Sequence, residues 1–214
     1  MKYSKDLLFP LSLALLEFGV FLSNDAYLPA LPSMMSDLGL TQALSQSTLS
    51  IWFLGSASVQ LFVGPLSDRF GRRPVLLLGV LAFILASVVC AIVENFQILL
   101  LARFVQGCTV CTTIVGGYAS IHESFNGKRA IQIVAIMGCI TILAPALGPL
   151  FGAYLVHITG HWQWIFYFLA VWVGVVGCFL FYQMPETLKK PIALDLLVNL
   201  KSYKTIVINY IGLT

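Results

Sequence analysis

The sequence predicts an all-α polytopic membrane protein in which six transmembrane helices form one bundle. Of its 214 residues, 59% are hydrophobic and 10% are charged, whereas soluble domains carry about 25% charged residues. A mean hydropathy of +0.92 indicates that lipid surrounds most of the chain. Backbone N–H and C=O groups cannot cross lipid unpaired. Apolar runs of about 20 residues without strand alternation are therefore predicted to be helices.

Six apolar runs are long enough to cross the hydrocarbon core of a bilayer, which is about 30 Å thick. They cover about residues 7–28, 47–66, 74–93, 97–121, 130–156 and 163–184. Residues 1–184 are the predicted six-helix domain, and residues 185–205 are a predicted cytoplasmic linker. Residues 206–214 resemble the start of a seventh helix that is cut short, because they are too few to span.

The basic residues give the predicted orientation of the bundle. If the spans alternate, all of the 12 lysines and arginines except Arg103 lie on one side, before the first span or after the second, fourth and sixth. Loops rich in Lys and Arg stay in the cytoplasm, so both termini are predicted to be cytoplasmic. The formal net charge of +3 reflects this asymmetry, and no basic face is left to bind nucleic acid.

The first span carries two acids and an amide at depths where lipid favours apolar residues. A mid-helix Asp costs about 2.5 to 3.5 kcal/mol on insertion scales. Glu17 and Asn24 are two helical turns apart and share a face, and Asp25 lies at its edge. We interpret this stripe as part of a water-accessible cavity in which a carboxylate alternates between protonated and ionised forms. The alternative is a structural polar network that fixes helix packing.

Arg103 lies inside the fourth span, at a depth similar to that of Asp25. At 1.5 Å per residue, Arg103 is about 10 Å below the outer end of its helix, and Glu17 is about 12 Å deeper than Asp25. We expect Arg103 to lower the ionisation cost of Asp25 or to respond to its protonation. A purely structural ion pair between the two is the alternative.

The connector between the second and third spans reads GPLSDRFGRRP. Gly71 supplies backbone freedom, and Asp68 can cap a helix or pair with an arginine. The segment resembles the signature loop of the major facilitator superfamily, which implies a conformational latch between two halves of a transporter. The residues that carry this implied role are Gly64, Asp68, Gly71, Arg72 and Arg73.

Two further segments resemble motifs of the same superfamily. LLLARFVQGCTV contains Arg103, Gln106 and Gly107 and resembles the fourth-helix motif associated with proton coupling. ILAPALGPLFGAYL resembles the fifth-helix motif of antiporters, in which glycines allow close helix approach and prolines a bend. Its motif residues are Pro145, Gly148, Pro149 and Gly152. Ordinary small-residue packing is an alternative for the two glycines taken alone.

The resemblance extends from about Leu7 to Thr187, including HESF after the fourth span and MPET after the sixth, and is closest to drug:proton antiporters. It implies two inverted three-helix repeats, and export of lipophilic, often cationic drugs across the bacterial inner membrane in exchange for protons. On this resemblance Glu17, Asp25, Asn24 and Arg103 bind substrate and protons. The proton gradient is the energy source, and no cofactor is implied.

The sequence contains no nucleotide-binding loop, catalytic triad or metal-ligand cluster, so neither an enzyme nor a metal site is predicted. The expected partners are drugs, protons, membrane lipid, and a C-terminal six-helix half or another protomer. Two alternatives stay open: a half-transporter without transport activity of its own, and a self-associating membrane bundle. Aromatic residues near the polar stripe could stack on a flat cation, although each alone is more typical of packing: Phe18, Phe21, Tyr27, Trp52 and Tyr118.

Overall fold

The computed structural model describes residues 2–188, with side chains from residue 7 onward, and every regular element in that range is a helix. The helices are α1 (Lys2–Asp25), α2 (Leu31–Leu38), α3 (Gln42–Phe70), α4 (Arg72–Ile92), α5 (Phe96–Cys111), α6 (Gly117–Ser124), α7 (Gly127–Thr141), α8 (Leu143–Thr159) and α9 (Gln163–Gln183). A 3-10 turn precedes α2, and a π-helical turn, Thr112–Gly116, joins α5 to α6.

Within the described residues, six segments are long and apolar enough to cross a membrane. In order, the first to sixth spans are Leu7–Leu38, Gln42–Phe70, Arg72–Ile92, Phe96–Ser124, Gly127–Thr159 and Gln163–Gln183. The predicted fold class, an all-α bundle of six spans, is thereby confirmed. The predicted linker lies outside the described residues beyond residue 188, and the predicted seventh-helix start at 206–214 lies outside them entirely.

The first span continues past its predicted end into a second short helix. Helix α1 ends at Asp25, and α2 forms within residues that the sequence pattern assigned to a connector. Pro29 and Pro32 each stand in the first turn of a short helix, where the missing N–H costs no hydrogen bond. The indole N–H of Trp162 donates to the Asp37 carboxylate at 3.0 Å, which attaches α2 to the start of the sixth span.

The fifth span is interrupted near its middle, between the end of α7 at Thr141 and the start of α8 at Leu143. Pro145 follows this point, and proline has no N–H to donate to the carbonyl four residues earlier, which here belongs to Thr141. Its ring also crowds that carbonyl. The structure therefore has a break in the helix where the prolines predict a bend.

The first span lies at the centre of the bundle, packed against the fourth, fifth and sixth spans, while the second span packs mainly on the fourth. Within an 18-residue apolar stretch of each span, the buried share is 17% for the second span and 22% for the fifth, against 44% to 61% for the other spans. The second and fifth spans therefore present most of their apolar side chains on the outside of the described bundle.

Candidate functional site

Glu17 lies in the interior of the bundle, with only 3% of its surface exposed. The Tyr118 hydroxyl, two residues after the π-helical turn of the fourth span, donates to Glu17 Oε1 at 2.8 Å. Glu17 Oε2 is buried and accepts no hydrogen bond from the described residues; the Thr141 hydroxyl of the fifth span lies near the carboxyl group but donates to the Met137 carbonyl at 3.1 Å. One oxygen of the carboxyl group is therefore held by a phenol, and the other accepts no hydrogen bond from the described residues.

The water-accessible cavity predicted around the polar stripe is not open at Glu17 in this structure. Asp25, at the end of α1, is half-buried. A separate apolar cleft of about 190 Å³ lies between the first and fifth spans and includes Ala14, Met137 and Ile140 in its lining. Because Ala14 is one turn before Glu17, this cleft ends close to the enclosed carboxyl group.

Arg103 is fully buried and joins the fourth span to the first. Its guanidinium donates to the Ser23 carbonyl at 3.1 Å, to Asn24 Oδ1 at 3.4 Å and to Gln106 Oε1 at 2.9 Å. Its Nε has no partner among the described residues. The Arg103 fork thus binds neutral oxygen atoms on two spans.

The expected pairing of Arg103 with Asp25 is wrong: the ion pairs within the described residues do not include it. Successive residues of a helix point about 100° apart, so when Asn24 faces Arg103, Asp25 faces elsewhere. The Asp25 side chain instead lies beside Gly148 of the fifth span. Arg103 is therefore an interior cation stabilised by dipoles and aromatic faces.

Gln106 continues this polar network to the third span by donating to the Ser87 hydroxyl at 2.7 Å. The guanidinium carbon of Arg103 lies 4.9 Å from the ring centre of Tyr27 and 5.8 Å from that of Phe166, distances at which an aromatic face attracts a cation. Arg103 and Gln106 of the fourth-helix motif therefore connect the first, third and fourth spans.

The small residues of the two helix motifs lie at close helix contacts. A Cβ on Gly148 would meet Asp25, a Cβ on Gly152 would overlap the Ala26 carbonyl, and a Cβ on Gly107 would overlap the Trp52 carbonyl. Pro149 lies inside α8 and Pro145 in its first turn. The fifth-span motif thus packs against the end of α1 that carries Asp25.

Replacing Gly152 by alanine is expected to lower the free energy of unfolding by about 1 to 3 kcal/mol, the usual cost of overpacking. The matched control is Gly138→Ala in the same span, because a Cβ there has no atom within 4 Å; we expect it to be neutral or slightly stabilising. Unfolding of both variants in detergent, followed by helical circular dichroism, measures the difference. Equal stabilities would contradict the close contact at Ala26.

The signature loop forms a charged cluster at the predicted cytoplasmic end of the bundle. Arg72 binds the Asp68 carboxylate at 2.5 Å and the Glu123 carboxylate at 3.1 Å. The Thr187 hydroxyl donates to the other oxygen of Glu123 at 2.5 Å. Gly64 has open space where a side chain would be. The loop is therefore tied to the ends of the fourth and sixth spans.

Glu186 caps the start of the third span from a distant part of the chain. Its two carboxylate oxygens accept the backbone N–H groups of Arg72 at 3.1 Å and Arg73 at 3.2 Å, which lack partners inside the helix. Gly71 has a φ of 103° and is close to the same carboxylate. A residue with a side chain at Gly71 would be strained and would also crowd Glu186.

Replacing Glu186 by alanine is expected to cost about 1 kcal/mol of stability, as for the loss of a helix cap that also interacts with the helix dipole. Glu94→Ala is the control, since Glu94 is exposed in the connector between the third and fourth spans. Hydrogen exchange at the amides of Arg72 and Arg73 is the direct measurement. Unchanged exchange at these two amides in the Glu186→Ala variant would refute the cap.

The sequence profile of the Major Facilitator Superfamily matches residues 13–209 of the chain. The chain belongs to the Major Facilitator Superfamily. This match includes the polar stripe, the signature loop and both helix motifs, and it confirms the family resemblance from which their roles were inferred. With six spans of this superfamily, the chain is a multi-pass membrane protein.

Several curated members of the Major Facilitator Superfamily are similar to this chain. The Multidrug resistance protein MdtM of Escherichia coli K12 is 36% identical over 191 residues, which is 88% of this chain and 46% of that protein. The Chloramphenicol resistance protein CraA of Acinetobacter baumannii is 40% identical over 181 residues, 84% and 43% respectively. The Multidrug transporter MdfA of Yersinia pestis (strain Angola) is 36% identical over 183 residues, 86% and 44%. The chain spans less than half the length of these relatives.

A solved structure of the human organic anion transporter MFSD10 (TETRAN) resembles the fold. It aligns with a TM-score of 0.57 and 24% identity over 86% of this chain and 48% of the human one. At this identity the comparison shows the fold alone.

Two contacts of the site were not predicted from the sequence. The sequence predicts packing or cation stacking for Tyr118, yet its hydroxyl donates a hydrogen bond to Glu17. Glu186 and its contact with the signature loop were not anticipated, although the MPET segment that contains Glu186 was part of the family resemblance. That segment was the available signal for a role at this end of the Major Facilitator Superfamily bundle.

Proposed function

We propose that the chain works as one half of an exporter of lipophilic, often cationic drugs, driven by protons that move inward across the bacterial inner membrane. The observation that carries this proposal is the buried Glu17 carboxyl group with one oxygen unpartnered. Its support from relatives is their names, which describe multidrug or chloramphenicol resistance proteins.

The proposed mechanism is competition between a proton and a cationic drug for Glu17. An ionised carboxylate away from water is unfavourable unless a proton neutralises it or a cation compensates it. Tyr118 holds Oε1, so Oε2 is the oxygen at which the two ligands exchange. A proton that arrives at Oε2 weakens the bound drug, and the drug then leaves toward the outer side.

Asp25 and Arg103 act nearer to the predicted outer end. Asp25 lies eight residues after Glu17, about 12 Å along the helix, and is the second carboxylate that takes protons or drug. Arg103 is a fixed positive charge held against Asn24, and its hydrogen bonds hold the fourth span against the end of the first span that carries Asp25. The proton path therefore runs along the first span.

The latch role of the signature loop is also a proposal. Asp68 is bound to Arg72, and Arg72 to Glu123. These contacts within this half compete with contacts of the loop to a second half. Movement of Asp68 from Arg72 to that second half would mark the change of access state. Gly64 provides space for close approach of another helix.

A second six-helix half, or another protomer, is the proposed partner of the exposed second and fifth spans. Their low buried shares support a large apolar contact at these faces. The proposed location is the inner membrane with both termini in the cytoplasm, because the basic residues lie at that end. No cofactor and no enzymatic activity are proposed.

The test is drug accumulation in cells that express the 214-residue chain, alone and joined to the second half of an MdtM-type relative. We expect the joined protein to lower accumulation of a lipophilic cation and a protonophore to abolish this effect. Failure of the joined protein to lower accumulation would refute drug export. Ion conductance of the chain without drug would favour a self-associating bundle. If the chain alone lowers drug accumulation, its partner is another protomer and not a second half.

A further inference from the structure

An apolar groove of about 300 Å³ lies on the outside of the bundle between the second, third and fourth spans. Phe62 and Leu66 line it from the second span, Leu78 and Ala82 from the third, and Thr112 from the fourth. Its lining on the second span runs from Val59 to Leu66, which is about 10 Å along the helix axis. Phe62, Leu66 and Leu78 are exposed, so the groove opens on the outside of the described bundle, on the side of the second span next to the third.

The groove ends one helical turn before Arg69. On the second span, residues three and four apart share a face, so Arg69 and Phe70 continue the strip formed by Phe62 and Leu66. Arg69 is exposed, and its guanidinium carbon lies 5.3 Å from the ring centre of Phe70. This places a cation at the predicted cytoplasmic mouth of an apolar groove.

The neighbouring arginines of the signature loop are occupied by protein groups, whereas Arg69 is not. Arg72 binds two carboxylates, and Arg73 donates to the Phe181 carbonyl at 2.6 Å and lies over the Phe181 ring. Among residues 7–188, Arg69 makes no ion pair or hydrogen bond to a protein group. Its five N–H donors are free for an anion from outside the chain.

We propose that this groove is a binding site for an anionic phospholipid, with one acyl chain between the second and third spans and the headgroup phosphate on Arg69. Charge complementarity selects this occupant. The site combines an apolar strip, against which an acyl chain can pack, with an unpaired guanidinium at the predicted membrane surface. A neutral lipophilic molecule would leave the guanidinium without a partner. The site is separate from Glu17 and independent of the proposed export of drugs.

The experiment is native mass spectrometry of the purified chain after exchange into micelles with phosphatidylglycerol or phosphatidylcholine. We expect the chain to retain one phosphatidylglycerol in preference to phosphatidylcholine. Arg69→Gln should lower this retention about five-fold, the loss expected when one basic residue is removed from an anionic surface. Lys128→Gln is the matched control, because it removes an exposed basic residue from the connector between the fourth and fifth spans.

A second pair of variants tests the groove itself. Ala82→Phe fills the groove and should lower retention, whereas Leu81→Phe adds the same ring at an exposed position outside the groove lining and should not. The proposal is overturned by equal retention of the two lipids, by equal losses in Arg69→Gln and Lys128→Gln, or by equal retention in the two Phe variants. It is also overturned if tetraphenylphosphonium or a joined second half displaces the lipid, because the groove would then belong to a drug or to an interface.

Discussion

Replacing Glu17 by glutamine in the protein joined to a second half is expected to weaken binding of a cationic drug by about 30-fold or more. The physical reason is that loss of one partner from a desolvated charge pair costs about 2 to 5 kcal/mol. Glutamine has nearly the same shape but no charge, so the helix should still insert. Equilibrium binding of radiolabelled tetraphenylphosphonium to the purified protein measures the effect.

Two further variants separate the charge of Glu17 from its surroundings. Tyr118→Phe removes only the hydroxyl that donates to Oε1, and we expect a smaller loss of affinity than for Glu17→Gln. Glu94→Gln removes an exposed carboxylate from a connector and should have no effect. A Glu17→Gln protein that binds the cation as tightly as the Glu94→Gln control would contradict the role of Glu17.

Replacing Arg103 by alanine is expected to lower the free energy of unfolding by about 3 kcal/mol. Two buried oxygens, the Ser23 carbonyl and Gln106 Oε1, and the half-buried Asn24 Oδ1 would lose a donor. Each unsatisfied buried group costs about 1 to 3 kcal/mol. Alanine also removes the desolvation cost of the buried guanidinium, which offsets part of this loss. Unfolding of the purified chain in detergent by added dodecyl sulfate, followed by circular dichroism, is the measurement.

The fork geometry of Arg103 predicts that lysine will not replace it. Lysine keeps the charge but is a point donor on a flexible stem, so Arg103→Lys should recover only a fraction of the lost stability. Arg69→Ala is the control, because this exposed arginine makes no ion pair or hydrogen bond within residues 7–188, and its loss should stay within about 0.5 kcal/mol. The network would be refuted if Arg103→Ala and Arg69→Ala unfolded at the same dodecyl sulfate concentration.

The six spans could be predicted because lipid imposes one strong constraint, a long apolar helix for each crossing. The position of Glu17 inside the bundle could be predicted for the same reason, since an acid at that depth stands out against its apolar neighbours. The extension of the first span into α2 could not be predicted from hydropathy. It depends on the preference of proline for the first turn of a helix, at Pro29 and Pro32, and on the hydrogen bond between Trp162 and Asp37.

The partner of Arg103 could not be predicted from depth and charge. Asn24 and Asp25 lie at nearly the same depth, and Coulomb attraction alone favours the acid. The rotation of about 100° between successive residues decides the contact, and that rotation depends on how α1 packs against the glycines of the fifth span. Gly148 and Gly152 allow the close approach that fixes it.

The cap at the third span could not be predicted because Glu186 and Arg72 are 114 residues apart. No local pattern joins them, and the contact exists only after the sixth span has packed beside the third. The contact between Tyr118 and Glu17 is similar, since it joins residues 101 positions apart. A tyrosine in an apolar helix gives no sign of which group its hydroxyl meets.

Exchange of a proton for a cation at Glu17 is the central step of the proposed export. The direct measurement is proton release, read with a pH indicator in weakly buffered detergent solution, when tetraphenylphosphonium is added to the purified protein joined to a second half. We expect proton release that saturates with cation binding and is lost in the Glu17→Gln variant. Cation binding without proton release, or the same release from the Glu17→Gln variant, would contradict it.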